Sequence, residues 1–73
     1  MSTNVSEVIV LSAMPKFEIY KDSAGKFRWR LKAPNGEIIA SSGEGYESKD
    51  SCRNGIQSVK TNAPKAQITE MTQ

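Results

Sequence analysis

Four side chains in this sequence are spaced to form a chemically distinct surface: Tyr20, Arg28, Arg30 and Lys32. The three bases alternate with Phe27, Trp29 and Leu31, so in a strand they share one face. Such a face could neutralise phosphates while an aromatic ring stacks on a base, which is how sheets bind single-stranded nucleic acid. The competing reading is a solvated or dimer-covered face balanced by Glu18. It is preferred, because one aromatic and an interposed carboxylate make a poor nucleic-acid platform.

The other reactive side chains are fewer. The chain has no histidine, which excludes Ser-His-Asp and Cys-His units and the usual zinc sites. Its one cysteine, Cys52, recurs with Ile56 and Val59 at helical spacing, so it reads as a buried hydrophobe with a raised pKa. Gly43-Glu44-Gly45 leads into a helix start beside Lys49, as phosphate-binding loops do. Glu44 and Glu47 would repel an anion there. The simpler expectation is a loop with unusual backbone angles and Tyr46 packed over the helix start. Glu44, Glu47 and Asp50 lie three apart, yet no oxygen-rich loop surrounds them, and acids near a helix start suit its dipole. No catalytic residue, metal site or cofactor is therefore expected.

The elements that must hold these residues follow from periodicity. Lys16 to Asp22 alternates and is rich in aromatic and β-branched residues, a strand. Ser23-Ala24-Gly25 fits a three-residue hairpin loop with a left-handed glycine. Pairing Asp22 with Lys26 then sets Ile19 opposite Trp29, Phe17 opposite Leu31, Glu18 opposite Arg30 and Tyr20 opposite Arg28. Apolar meets apolar and acid meets base, which supports the register. Phe27 to Ala33 is the second strand and Pro34-Asn35-Gly36 the second turn. Glu37 to Ser42 is a third strand, in which adjacent Ile38 and Ile39 must face opposite ways. Ser48 is a helix N-cap, and an amphipathic helix runs from Lys49 to about Thr61. Gly55 inside it implies a close approach to the sheet, over Trp29. Gln67, Ile68, Thr69, Glu70 and Met71 form a candidate fourth strand. The fold class is α+β: a β-β-β-α-β unit with one helix packed on one face of an antiparallel sheet.

Charge and length add two constraints. The 73 residues carry 10 Lys+Arg and 8 Asp+Glu, net +2. All ten bases and only six of the acids fall within 16–65, so that segment is more basic than the whole. Residues 1–15 hold Glu7 and no base, and read as a partly disordered N-terminal extension before a domain over 16–73. Their Val8-Ile9-Val10-Leu11 run suits a short edge strand or a patch covered by a partner, and is far too short for a membrane span. With one cysteine and no signal-like start, a soluble cytoplasmic protein is expected. A core drawn from about 50 residues is marginal alone, so self-association is expected.

The string from Phe17 to Pro64 resembles the bacterial YegP-like family of short domains of uncharacterised function. The resemblance rests on FEIYKD (Phe17 to Asp22), WRLK (Trp29 to Lys32), NGEIIA (Asn35 to Ala40), GYESK (Gly45 to Lys49) and NGIQSVK before NAP (Asn54 to Pro64). It covers about two thirds of the chain. It implies two β(3)-α-β units sharing one sheet with C-terminal strands exchanged, so a single-unit chain would be a homodimer exchanging Gln67, Ile68, Thr69 and Met71. The extension, Cys52 and Arg53 depart from the family pattern. The function expected is a non-enzymatic homodimeric binding or interaction module; the alternative is a nucleic-acid-binding domain using the basic sheet face.

Overall fold

The computed structural model describes residues 14–72. Strands β1 (Lys16–Lys21), β2 (Phe27–Lys32) and β3 (Ile38–Ser41) form an antiparallel sheet in the order β1-β2-β3. Helix α1 (Lys49–Asn62) follows, then a 3-10 turn, Ala63–Lys65. Each element ends within a residue or so of its sequence-read bounds, as strand and helix ends generally do. Within the single chain, Gln67, Ile68, Thr69 and Met71 do not form a strand. Those residues are exposed and pair with no strand among the described residues. The expected edge strand at 8–11 lies outside the described residues.

The first hairpin has the register that its loop length dictates. Phe17 pairs with Leu31, Glu18 with Arg30, Ile19 with Trp29 and Tyr20 with Arg28. The Asp22 amide donates to Lys26 O (2.8 Å), and the Gly25 amide to Asp22 O (3.0 Å). Gly25 takes φ +83°, which a β-carbon disfavours. The second hairpin repeats this wiring. Ala33 N donates to Glu37 O (2.8 Å) and Gly36 N to Ala33 O (2.8 Å), with Gly36 at φ +91°.

The adjacent isoleucines are accommodated by a β-bulge. Lys32 pairs with Ile38 but Leu31 pairs with Ala40, so Ile39 is the extra residue. Ile38 thereby shares the register of the basic side chains. Ser42, just after β3, is buried: its Oγ accepts the Trp29 amide (3.2 Å) and its own amide donates to Trp29 O (2.9 Å).

Ser48 caps α1 in an extended conformation, its Oγ accepting the Ser51 amide at 3.1 Å. The narrow stripe of Cys52, Ile56 and Val59 meets the sheet. Trp29, Cys52 and Ile56 are buried, and Phe17, Ile19, Phe27, Leu31, Tyr46 and Val59 pack around them. Phe17 and Trp29 meet edge to face, 5.5 Å between ring centroids at 74°. The Trp29 indole N–H is buried and finds no acceptor among the described residues. Helix α1 packs on β2 and β1 and not on β3. All four β3 residues are therefore exposed, Ile38 at 56% and Ile39 at 60%.

Two glycine expectations need correction. Gly55 is not set against Trp29; a β-carbon there would collide with the Tyr46 hydroxyl. Tyr46 thus reaches the middle of the helix rather than its start. Gly43 and Gly45 do not take positive φ either. Gly45 is instead crowded by Lys26, whose Cβ would lie 2.6 Å from an added β-carbon.

Cys52 is fully buried, and loss of hydration raises its thiol pKa, against a smaller opposing effect of Arg53. A thiol reagent should therefore label the native chain slowly and the urea-unfolded chain fast. Equal rates, read by mass spectrometry, would contradict the burial.

Candidate binding face of the sheet

The sheet face opposite α1 gathers all four residues singled out in the sequence. β1 supplies Lys16, Glu18 and Tyr20, β2 supplies Arg28, Arg30 and Lys32, and strand pairing sets them side by side. Glu18 is the hub. Its carboxylate accepts from Arg30 Nε at 2.9 Å and lies 3.4 Å from Lys32 Nζ and 3.5 Å from Lys16 Nζ. The Arg30 guanidinium also sits over the Tyr20 ring, 4.7 Å from its centroid. So the ring is already stacked and is not a bare platform for a base.

A second pair closes the hairpin end. Arg28 Nε donates to Asp22 Oδ2 at 2.6 Å. Asp22 Oδ1 accepts the Ala24 and Lys26 amides, both at 2.9 Å. Asp22 therefore ties the turn to the face, a role the sequence reading missed. The signal was present: an aspartate opening a turn three residues before glycine can bond its own loop amides. Beyond the face, Lys26 pairs with Glu47 and braces the lead-in to the helix. The lead-in is itself joined to β2 by Phe27 N–Tyr46 O (2.8 Å) and Tyr46 N–Phe27 O (2.7 Å).

The bonding fixes the charge states. Arg30 first, then Lys32, hold the Glu18 carboxyl below its ordinary pKa against a partial loss of hydration. For Asp22 the Arg28 guanidinium does most, followed by the Lys26 amide. Both folded pKa values lie below the unfolded ones. The stability they contribute is present above the unfolded carboxylate range, about 3.9 to 4.3, and is lost as pH falls through the folded values. A urea midpoint followed from pH 7 downward should stay level and then drop below about pH 4. Glu18→Gln should shrink that drop; an undiminished drop would show that Glu18 is not one of its sources.

Chemically, the face holds four bases against two acids, each acid hydrogen-bonded to an arginine. It can attract an acidic partner weakly. Carboxylates held ionised in this way are poor proton donors near neutrality. Among the described residues no three His, Cys, Asp or Glu side chains group as a metal site. Asp50 reaches only Arg53, at 3.5 Å. Among the described residues no helix is long and apolar enough to cross a membrane.

Residues 22–70, which contain both hairpin turns, β2, β3 and α1, match the family described as "Domain of unknown function (DUF1508)". The chain belongs to this family. The YegP-like resemblance of its strand and helix segments is to the same family. A UPF0339 protein of Treponema denticola is 62% identical over 56 residues, covering 77% of this chain and 95% of that protein. One from Methanosarcina acetivorans is 60% identical over 55 residues, covering 75% and 93%. The DUF1508 fold is also similar to two solution NMR structures. A protein from Haloferax volcanii has a TM-score of 0.74 at 53% identity, over 78% of this chain and 95% of that one. One from Agrobacterium tumefaciens has 0.65 at 49%, over 78% and 90%. The expectation of a bacterial family is too narrow, since archaeal relatives are among these.

Proposed function

We propose that this DUF1508 chain is a non-enzymatic interaction module that works as a homodimer. Its two copies would join along β3 and exchange the tail segment containing Gln67, Ile68, Thr69 and Met71. The observation that carries this reading is the bare edge of the sheet. Among the described residues β3 has no neighbour on its outer side and α1 does not cover it, and Ile38 and Ile39 are more than half exposed. Unpaired edge backbone beside apolar side chains is a ready template for another strand. The tail offers such a strand: Ile68 is 98% and Met71 81% exposed. The chemistry of the face weighs against an enzyme. Its acids are held ionised by their basic partners, and the chain's one thiol, Cys52, lies away from it in the core.

Light scattering tests the reading. The full chain should have the mass of a dimer, and a chain lacking residues 66–73 should be monomeric or unfolded. A monomeric full chain would overturn the dimer, and an intact truncated dimer would overturn the exchange. The nucleic-acid reading of Tyr20, Arg28, Arg30 and Lys32 is the weaker one, because Arg30 covers the ring and Glu18 and Asp22 engage the bases.

A further inference from the structure

We infer that Asn35-Gly36, in the turn between β2 and β3, is a site of spontaneous covalent modification. Asn35 loses its side-chain amide, and the isoaspartate that forms unfastens β3. Asn54-Gly55 in α1 is the same dipeptide and is spared. This goes beyond the dimer reading and does not rest on it.

The chemistry needs only the chain and water. The Gly36 backbone nitrogen gives its proton to solvent and adds to Asn35 Cγ. The Cγ–Nδ2 bond then breaks and ammonia leaves, which closes a cyclic imide. Water adds to either imide carbonyl. Opening at Cγ gives aspartate. Opening at the main-chain carbonyl gives isoaspartate, whose backbone runs through Cβ and Cγ. Nothing is oxidised or reduced. Glycine favours the step because it has no β-carbon to shield its nitrogen.

Three observations carry the inference. The first is the setting of the turn. Asn35 and Gly36 are both exposed. The Glu37 amide donates to Asn35 Oδ1 at 3.0 Å. That bond draws the side chain toward the residues after it, where the Gly36 nitrogen lies. It also sets a donor on the oxygen that becomes negative as the nitrogen adds. The opposing bond, Gly36 N to Ala33 O at 2.8 Å, lies in an exposed turn, where local opening costs little.

The second is the contrast with α1. Gly55 sits inside the helix, so its amide belongs to the ladder of bonds to the preceding turn. Its α-carbon is also set closely against the Tyr46 hydroxyl. Bringing Asn54 Cγ onto the Gly55 nitrogen requires that stretch of helix to open. The dipeptide is identical, so the surroundings decide which copy reacts.

The third is what the product does. Ala33 N to Glu37 O and Gly36 N to Ala33 O, both 2.8 Å, close the turn, with Gly36 at φ +91°. Isoaspartate adds a methylene to the main chain inside that closure, so both bonds cannot persist. Lys32–Ile38 is the next pair. Among the described residues β3 is held by β2 alone, and α1 does not pack on it.

The test is peptide mapping by mass spectrometry on the full chain aged in warm, mildly alkaline buffer. Native protein should convert at Asn35 roughly tenfold or more faster than at Asn54, which must wait for local opening. In urea the two should convert at similar rates. Asn35→Gln should abolish the fast conversion. Equal native rates, faster reaction at Asn54, or an Asn35 as slow as Asn54 in the native chain would overturn the site. The isoaspartate fraction, separated by chromatography, should lose the amide protection of Lys32 and Ala40 and show a lower urea midpoint. An unchanged midpoint and unchanged protection would overturn the unfastening of β3.

Discussion

The Trp29→Ala chain is expected to lose its cooperative fold. Trp29 is 6% exposed and lies at the centre of the core, against Phe17 from β1 and with Cys52 and Ile56 from α1. Removing a buried aromatic side chain costs about 3–5 kcal/mol. A core of this size rarely supplies more than about 3–5 kcal/mol in all. The loss thus matches the whole margin. Far-UV circular dichroism against urea should show no folded baseline. Trp29→Phe is the informative control. It keeps a ring for Phe17 to meet, and it removes an indole N–H that has no acceptor among the described residues. An unsatisfied buried donor costs about 1–3 kcal/mol, which offsets much of the lost area. Trp29→Phe should therefore stay within about 1.5 kcal/mol of the parent chain. A cooperative Trp29→Ala transition near the parent midpoint would show that the core is centred elsewhere.

What the sequence made legible divides along contact range. The β1–β2 register followed from a local feature, the three-residue loop with Gly25 at positive φ. Once the loop length is known, each pair is determined, and the charges and apolar side chains agree with it. The gathering of Tyr20, Arg28, Arg30 and Lys32 was legible for the same reason. The helix was legible from Ser48 and the Cys52, Ile56, Val59 stripe. What was not legible depends on segments distant in sequence. Tyr46 bridges Phe27 and reaches Gly55, and Ser42 caps the Trp29 amide. Neither leaves a periodic mark. Ile38-Ile39 gave a partial signal: two adjacent isoleucines could not both alternate, and the chain resolves this with a bulge. The tail is a different case. A strand is defined by its partner, so the apolar and β-branched residues of Gln67 to Met71 could suggest a strand without saying what it would pair with.

Gly55→Ala is expected to destabilise the chain although it improves the helix. Alanine in a helix interior is worth about 1 kcal/mol over glycine. Here the added β-carbon would collide with the Tyr46 hydroxyl and lie 2.9 Å from Cζ. The ring has little freedom to withdraw, because the Tyr46 backbone is fastened to Phe27 by hydrogen bonds of 2.8 and 2.7 Å. Overpacking of this kind costs about 1–3 kcal/mol, which exceeds the propensity gain in most of its range. The urea midpoint should fall. A double-mutant cycle separates the two effects. In a Tyr46→Ala background the collision is gone, so Gly55→Ala should raise the midpoint by about the helix-propensity value of 1 kcal/mol. The same sign in both backgrounds would mean that Tyr46 does not set the helix position. The result bears on the helix position as well. Tyr46 and the Lys26–Glu47 pair hold the lead-in of α1 against β2, and so hold the helix over β1 and β2.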